Sequence, residues 1–151
     1  MENSINKSKE LRASIKLVNA RLNFEGYVPG NQPVSIDYTP PLGDNLGYTS
    51  LELLLLSLSS CVGSAVLVFL RRMKRTVSAL DISSVGIRHE EHPTGFKTIT
   101  LEMDLHSDDV TDEDMNKVIE LTEDFCPVMA MLHGNVEVTQ KYNIRRILPG
   151  K

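Results

Sequence analysis

The stretch from Leu51 to Leu70 constrains this 151-residue chain more than any other feature. A run this long and apolar is either a membrane span or a helix buried on most of its sides. Glu52, Ser57, Ser59, Ser60, Cys61, Gly63 and Ser64 interrupt it, and no comparable second span accompanies it. The expectation is therefore a helix at the centre of a protein or in an oligomer interface, with no membrane contact. The cluster Arg71, Arg72, Lys74 and Arg75 reads as the solvated C-terminus of that helix, where cations complement the macrodipole. A net charge of −4 leaves no electrostatic footprint for nucleic acid. Met1 to Leu11 is polar and mixed in charge, without an apolar signal core. A cytoplasmic location follows as the expectation, and in that reducing setting a transient catalytic disulfide is permitted while a standing one is not expected.

Periodicity around the central run points to an α+β chain. Ser14 to Val28 alternates apolar and polar residues as extended segments do, Pro29-Gly30-Asn31 marks a turn, and Val34 to Tyr38 reads as a second short strand. After a Pro/Gly loop from Pro40 to Tyr48, the helix is expected from Thr49 to about Arg75, with room for a bend near Gly63. Leu80 to Glu91 and Phe96 to His106 read as strands joined by a His92-Pro93-Thr94-Gly95 turn. In the second of these, Ile99, Leu101, Met103 and Leu105 face one way, which suits an antiparallel sheet covered on one side. Thr111-Asp112-Glu113-Asp114 starts another helix, which Pro127 ends at Cys126 by pushing that residue out of the helical region. Pro127 then suits the first position of a short helix through Leu132, with Cys126 as its N-cap, and Asn135 to Ile144 closes as a strand. The chain reads as one domain over 13–151, preceded by a polar segment, 1–12, that is a candidate for mobility.

Its two cysteines, Cys61 and Cys126, sit mid-way along the apolar helix and at the junction before Pro127. They are too far apart for a Cys-x-x-Cys metal knuckle, yet helices carrying them can pack together. One reading is a pair of inert buried thiols behaving as small hydrophobes. The other is reversible thiol redox chemistry, which needs one activated thiol and a second within reach. A free thiol near pKa 8.5 is only about 3% ionised at neutral pH, so an attacking thiol needs a nearby cation or donor. His89-Glu90-Glu91-His92 looks like a metal motif, but on a strand its two histidines would point to opposite faces. His133 reads as a surface or capping residue. No metal or cofactor is expected.

Glu52-Leu53-Leu54-Leu55 leading to Ser59-Ser60-Cys61, then Phe125-Cys126-Pro127-Val128, Gly134 and the segment Val136-Glu137-Val138, resemble the osmotically inducible protein C (OsmC) and organic hydroperoxide resistance (Ohr) family. The resemblance extends from about Ser14 across the rest of the chain and points to a less characterised OsmC-like branch. It implies an intertwined homodimer in which a long central helix and a second cysteine-bearing helix pack against curved antiparallel sheets. It further implies reduction of organic hydroperoxides without metal or haem, at the expense of a dithiol reductant such as a lipoyl protein.

Under this resemblance Cys61 is the peroxidatic thiol, becoming a sulfenic acid as an alcohol leaves, and Cys126 resolves it to a disulfide. Leu58, Met129 and Met131 would bury the organic tail of the peroxide. The family's arginine falls nearest Arg21, with Arg12 as the other candidate. Its carboxylate falls at Glu52, whose spacing to the cysteine differs by about one residue from the Ohr pattern. Nine residues on a straight helix leave Glu52 about half a turn out of phase with Cys61. Thr49-Ser50-Leu51-Glu52 also satisfies a capping box, which would make the glutamate a helix cap. The rival function is the same fold holding a small apolar ligand or sensing redox state without turnover.

Overall fold

Alternating residues near the N-terminus form three short strands: β1 (Ser14–Leu17), β2 (Phe24–Tyr27) and β3 (Val34–Ile36). They make an antiparallel sheet in the order β1-β2-β3. The computed structural model describes residues 6–147, in two compact units. This sheet belongs to the unit that ends at Leu53; the other begins at Leu54. Residues 1–5 of the polar N-terminal segment lie outside the described part.

Asp37 organises the loop after β3. It is 2% exposed, and its carboxylate accepts the backbone N–H groups of Tyr38, Asp44 and Leu46. Burial alone would raise this carboxyl, but the three donors together hold it below the ordinary range. Gly47 lies so close to the Ser35 carbonyl that any side chain there would collide with it. That tight return brings Tyr48 back to pair with β3 and sets Thr49 at the start of the long helix.

That helix, α1 (Ser50–Arg72), opens with the capping box read from its sequence. Thr49 N–H donates to Glu52 Oε1 at 2.9 Å, and Glu52 N–H donates to Thr49 Oγ1 at 3.2 Å. The helix stops about three residues before the expected end. Lys74 adopts a left-handed backbone (φ 59°), Arg75 N–H donates to the Leu70 carbonyl and Lys74 N–H to that of Arg71. These two bonds are a Schellman closure, here built without glycine. Among the described residues α1 is the one helix long and apolar enough to cross a membrane, and a third of its most apolar window is buried.

The unit starting at Leu54 adds β4 (Ala79–Arg88), β5 (Phe96–His106), α2 (Asp112–Phe125), α3 (Pro127–Leu132) and β6 (Glu137–Arg145). The one-faced pattern of β5 is seen in full: Ile99, Leu101, Met103 and Leu105 are completely buried. Leu58, Val62, Val66 and Leu70 of α1, with Met115 and Val118 of α2, are equally buried. Each such side chain contributes about 1.5–3 kcal/mol of transfer free energy. Gly63 lets α1 lie close to β4, since a Cβ there would stand 3.0 Å from Ile82 Cδ1.

Two expectations change here. β5 pairs antiparallel with β4 but parallel with β6, so this sheet is mixed, in the order β4-β5-β6. The reason is the connection: α2 and α3 form the crossover that a parallel return requires, where a hairpin would have reversed the chain. Second, β4 ends at Arg88 and not at Glu91, after a register shift at Ile87 and Arg88. His89 and His92 therefore lie in the loop that follows, not on a strand.

Candidate active site

Helical spacing puts Ser64, Ala65 and Val68 on the same face of α1 as Cys61, at intervals of three, four and seven residues. The second thiol is placed by a helix junction. Thr111 starts α2 with a capping box, in which Asp114 accepts its backbone N–H at 2.9 Å. Asp114 also pairs with Arg75, Nε to Oδ2 at 2.8 Å, tying the start of α2 to the segment after α1. At the far end Cys126 closes α2, donating its N–H to the Thr122 carbonyl at 2.9 Å. Its backbone turns extended (φ −76°, ψ 113°), as a residue before proline requires. The same residue starts α3, its Sγ accepting the Met129 N–H at 3.4 Å. Both roles anticipated for Cys126 are present.

The two thiols meet. Both are free, and Cys126 Sγ donates to Cys61 Sγ across 2.7 Å. Cys126 is 1% exposed, whereas Cys61 is only partly covered. Burial, then the hydrogen bond to Cys61, push the Cys126 thiol up to about 11. The accessible partner is thus Cys61, and the neutral form is favoured at Cys126.

Beside the sulfurs lies a cavity of about 290 Å³, lined by Ser60, Cys61, Ser64, Ala65, Val68, Phe125, Cys126 and Pro127. Phe125, 57% exposed, forms its outer wall and meets Phe69 edge-on, with ring centres 5.2 Å apart at 72°. Arg72 sits over Phe69, 5.8 Å from the ring centre. The expected apolar neighbours are corrected. Leu58 is wholly buried and does not line the cavity, Met131 is 72% exposed, and Met129 lines a separate cavity with His133 and Glu137. The true wall follows the helical face of Cys61 and the residues flanking Cys126; counting along α1 from Cys61 would have found Ala65 and Val68.

Arg12, Arg21 and Glu52 lie in the first unit, and each has a local partner. Arg21 Nη1 donates to Asp44 Oδ1 at 2.5 Å and Nη2 to the Pro41 carbonyl. Arg12 pairs with Glu10 at 2.6 Å, both well exposed. Glu52 is engaged in the cap of α1, and the Thr49 backbone N–H, then its hydroxyl, lower the carboxyl's pKa. His133 caps the C-terminus of α3 and is exposed.

A family model described as OsmC-like protein matches residues 43–141, a segment that includes both cysteines. No curated protein matches the sequence. Solved structures of the same fold include a hypothetical protein from Aquifex aeolicus VF5, 21% identical with a TM-score of 0.79, covering 92% of this chain and 98% of that one. An OsmC-like protein from Mycoplasma pneumoniae is 17% identical with a TM-score of 0.75, over 92% of this chain and 98% of that one. An organic hydroperoxide resistance protein from Elizabethkingia anophelis is 20% identical with a TM-score of 0.70, over 96% and 100% respectively.

Proposed function

We propose that this chain, which belongs to the OsmC-like protein family, is a thiol-dependent peroxidase that reduces organic hydroperoxides to alcohols. One observation carries the reading: two free sulfurs 2.7 Å apart, one accessible and one buried, beside a largely apolar cavity. Cys61 attacks the O–O bond and becomes a sulfenic acid; Cys126 condenses with it, and the disulfide is returned to thiols by a dithiol. Little motion is needed, since a disulfide spans 2.03–2.05 Å. Ala65, Val68 and Phe125 would take the organic tail, which favours alkyl hydroperoxides over hydrogen peroxide.

The proposal extends to a homodimer in the cytoplasm, with a lipoyl protein as one candidate reductant. The dimer is carried over from the family resemblance, and Leu56, Phe125 and Met131 are exposed apolar side chains available for a partner chain to cover. Arg21 is assigned the activating cation on the family resemblance. Glu52 enters as its carboxylate partner on the same ground, beside the capping bonds it already makes.

The test is turnover of cumene or tert-butyl hydroperoxide coupled to dihydrolipoamide. The wild type should consume peroxide, and Cys61→Ser should abolish consumption. A wild type inert with every dithiol tried, yet reversibly oxidised, would favour the redox-sensing alternative.

A further inference from the structure

We propose that Cys126 also acts as the general acid of the first step, handing its thiol proton to the alkoxide that leaves the peroxide. This rests on the peroxidase reading and assigns that site a proton path. The sulfur of Cys126 is held on two sides. It accepts the Met129 N–H at 3.4 Å as the N-cap of α3, and its own S–H bond is directed at Cys61 Sγ, 2.7 Å away. Among the residues that line the cavity, Cys126 is the one whose acidic hydrogen is bonded to the attacking sulfur, which makes it the proton donor nearest the oxygen that this sulfur attacks.

Competing donors in the cavity are poor. Ser60 Oγ already donates to the Ser57 carbonyl at 3.1 Å, and both Ser60 and Ser64 are exposed hydroxyls, about as weakly acidic as water. A thiol near 11 is a far stronger acid than an alcohol, yet stays protonated at neutral pH. It can therefore hold its proton in the resting state and release it to an alkoxide.

The sequence balances. Cys61 thiolate attacks the distal peroxide oxygen; the S–O bond forms as the O–O bond breaks, oxidising sulfur by two electrons and reducing the peroxide to sulfenic acid and alkoxide. The S–H bond of Cys126 breaks as the alcohol O–H bond forms, leaving Cys126 as a thiolate. That thiolate attacks the sulfenic sulfur, the S–S bond forms, and hydroxide leaves and takes a proton from solvent. One proton transfer thus completes the first step and arms the second, so the resolving thiol ionises only once a sulfenic acid exists.

The experiment compares two oxidants in single-turnover kinetics of Cys61 oxidation, followed by intact mass. Cumene hydroperoxide expels an alkoxide and needs a proton; peracetic acid expels a carboxylate and does not. In Cys126→Ala the ratio of the cumene hydroperoxide rate to the peracetic acid rate should fall by about 10²-fold or more, the range for general acids, since loss of the hydrogen bond to the Cys61 sulfur acts on both oxidants alike and cancels in the ratio. Cys126→Ser, which keeps an acceptor for the Met129 N–H, should show the same selective loss. An unchanged ratio in either variant, with both oxidants equally affected, overturns the proposal. A wild type that reacts with peracetic acid but leaves cumene hydroperoxide intact instead refutes the peroxidase reading on which it stands.

Discussion

Replacing Cys61 with serine leaves Cys126 as the sole thiol of the chain, and its exchange with a small aromatic disulfide then reports its ionisation directly. At about 11 the Cys126 thiol is roughly 0.1% ionised at pH 8, against about 24% for an ordinary cysteine near 8.5. That alone slows exchange roughly 200-fold. A more basic thiolate is also a better nucleophile, and a Brønsted coefficient of about 0.45 over 2.5 units returns roughly 13-fold. The net lag is about 20-fold at most, before any loss from poor access. Removing Cys61 also removes the hydrogen bond that is the second cause of the shift, so the variant should titrate below the wild-type value. Burial, the first cause, remains, so the log of the exchange rate should keep climbing with unit slope beyond pH 9. A plateau at pH 8.5 or lower would refute the burial argument, and with it the assignment of Cys126 as the protonated partner.

Three further outcomes follow from the same geometry. Because the folded state raises the Cys126 thiol, unfolding releases a proton above the ordinary thiol range; stability is full below that range and falls, by up to about 3 kcal/mol, as pH climbs towards 11. Urea midpoints across that window should show the fall in wild type and less of it in Cys126→Ala. Phe125→Ala removes the outer cavity wall and its edge contact with Phe69, worth about 1–2 kcal/mol to an apolar substrate. KM for cumene hydroperoxide should rise roughly 5- to 30-fold, and an unchanged KM would place the tail elsewhere. Glu52→Ala unmakes the bond from Thr49 N–H and should cost about 0.5–1.5 kcal/mol of stability in urea titration. As the proposed partner of Arg21, Glu52 should also support Cys61 oxidation, so its rate should fall in the variant; a rate held at the wild-type value would leave the carboxylate as a helix cap alone.

Local signals in the sequence were read correctly where one residue decides the backbone. Pro127 forces Cys126 out of the helix, and the capping box at Thr49 is visible as side chains at fixed spacing. The helix start at Thr111 is visible from its acidic first turn, though its own capping box with Asp114 emerges only in the structure. The alternation over β5 likewise named its buried face, because residues on one side of a strand share an environment. Long-range pairing was less legible. Nothing in β6 itself says that it runs parallel to β5; that follows from the helical crossover between them. The end of α1 was missed because a lysine, not a glycine, takes the left-handed position. In the site, both cysteines were legible because their local contexts are unusual. The cavity wall was not, since it is built from small and ordinary residues, Ala65 and Val68, that acquire meaning only once the phase of α1 is fixed relative to Cys61.

The central claim is that Cys61 and Cys126 form one redox unit, and intact mass tests it most directly. After one equivalent of cumene hydroperoxide, reduced protein should lose two hydrogens, regain them with a dithiol, and in Cys126→Ser gain a single oxygen instead. A wild type whose mass stays unchanged, or that gains oxygen without ever losing two hydrogens, contradicts the account.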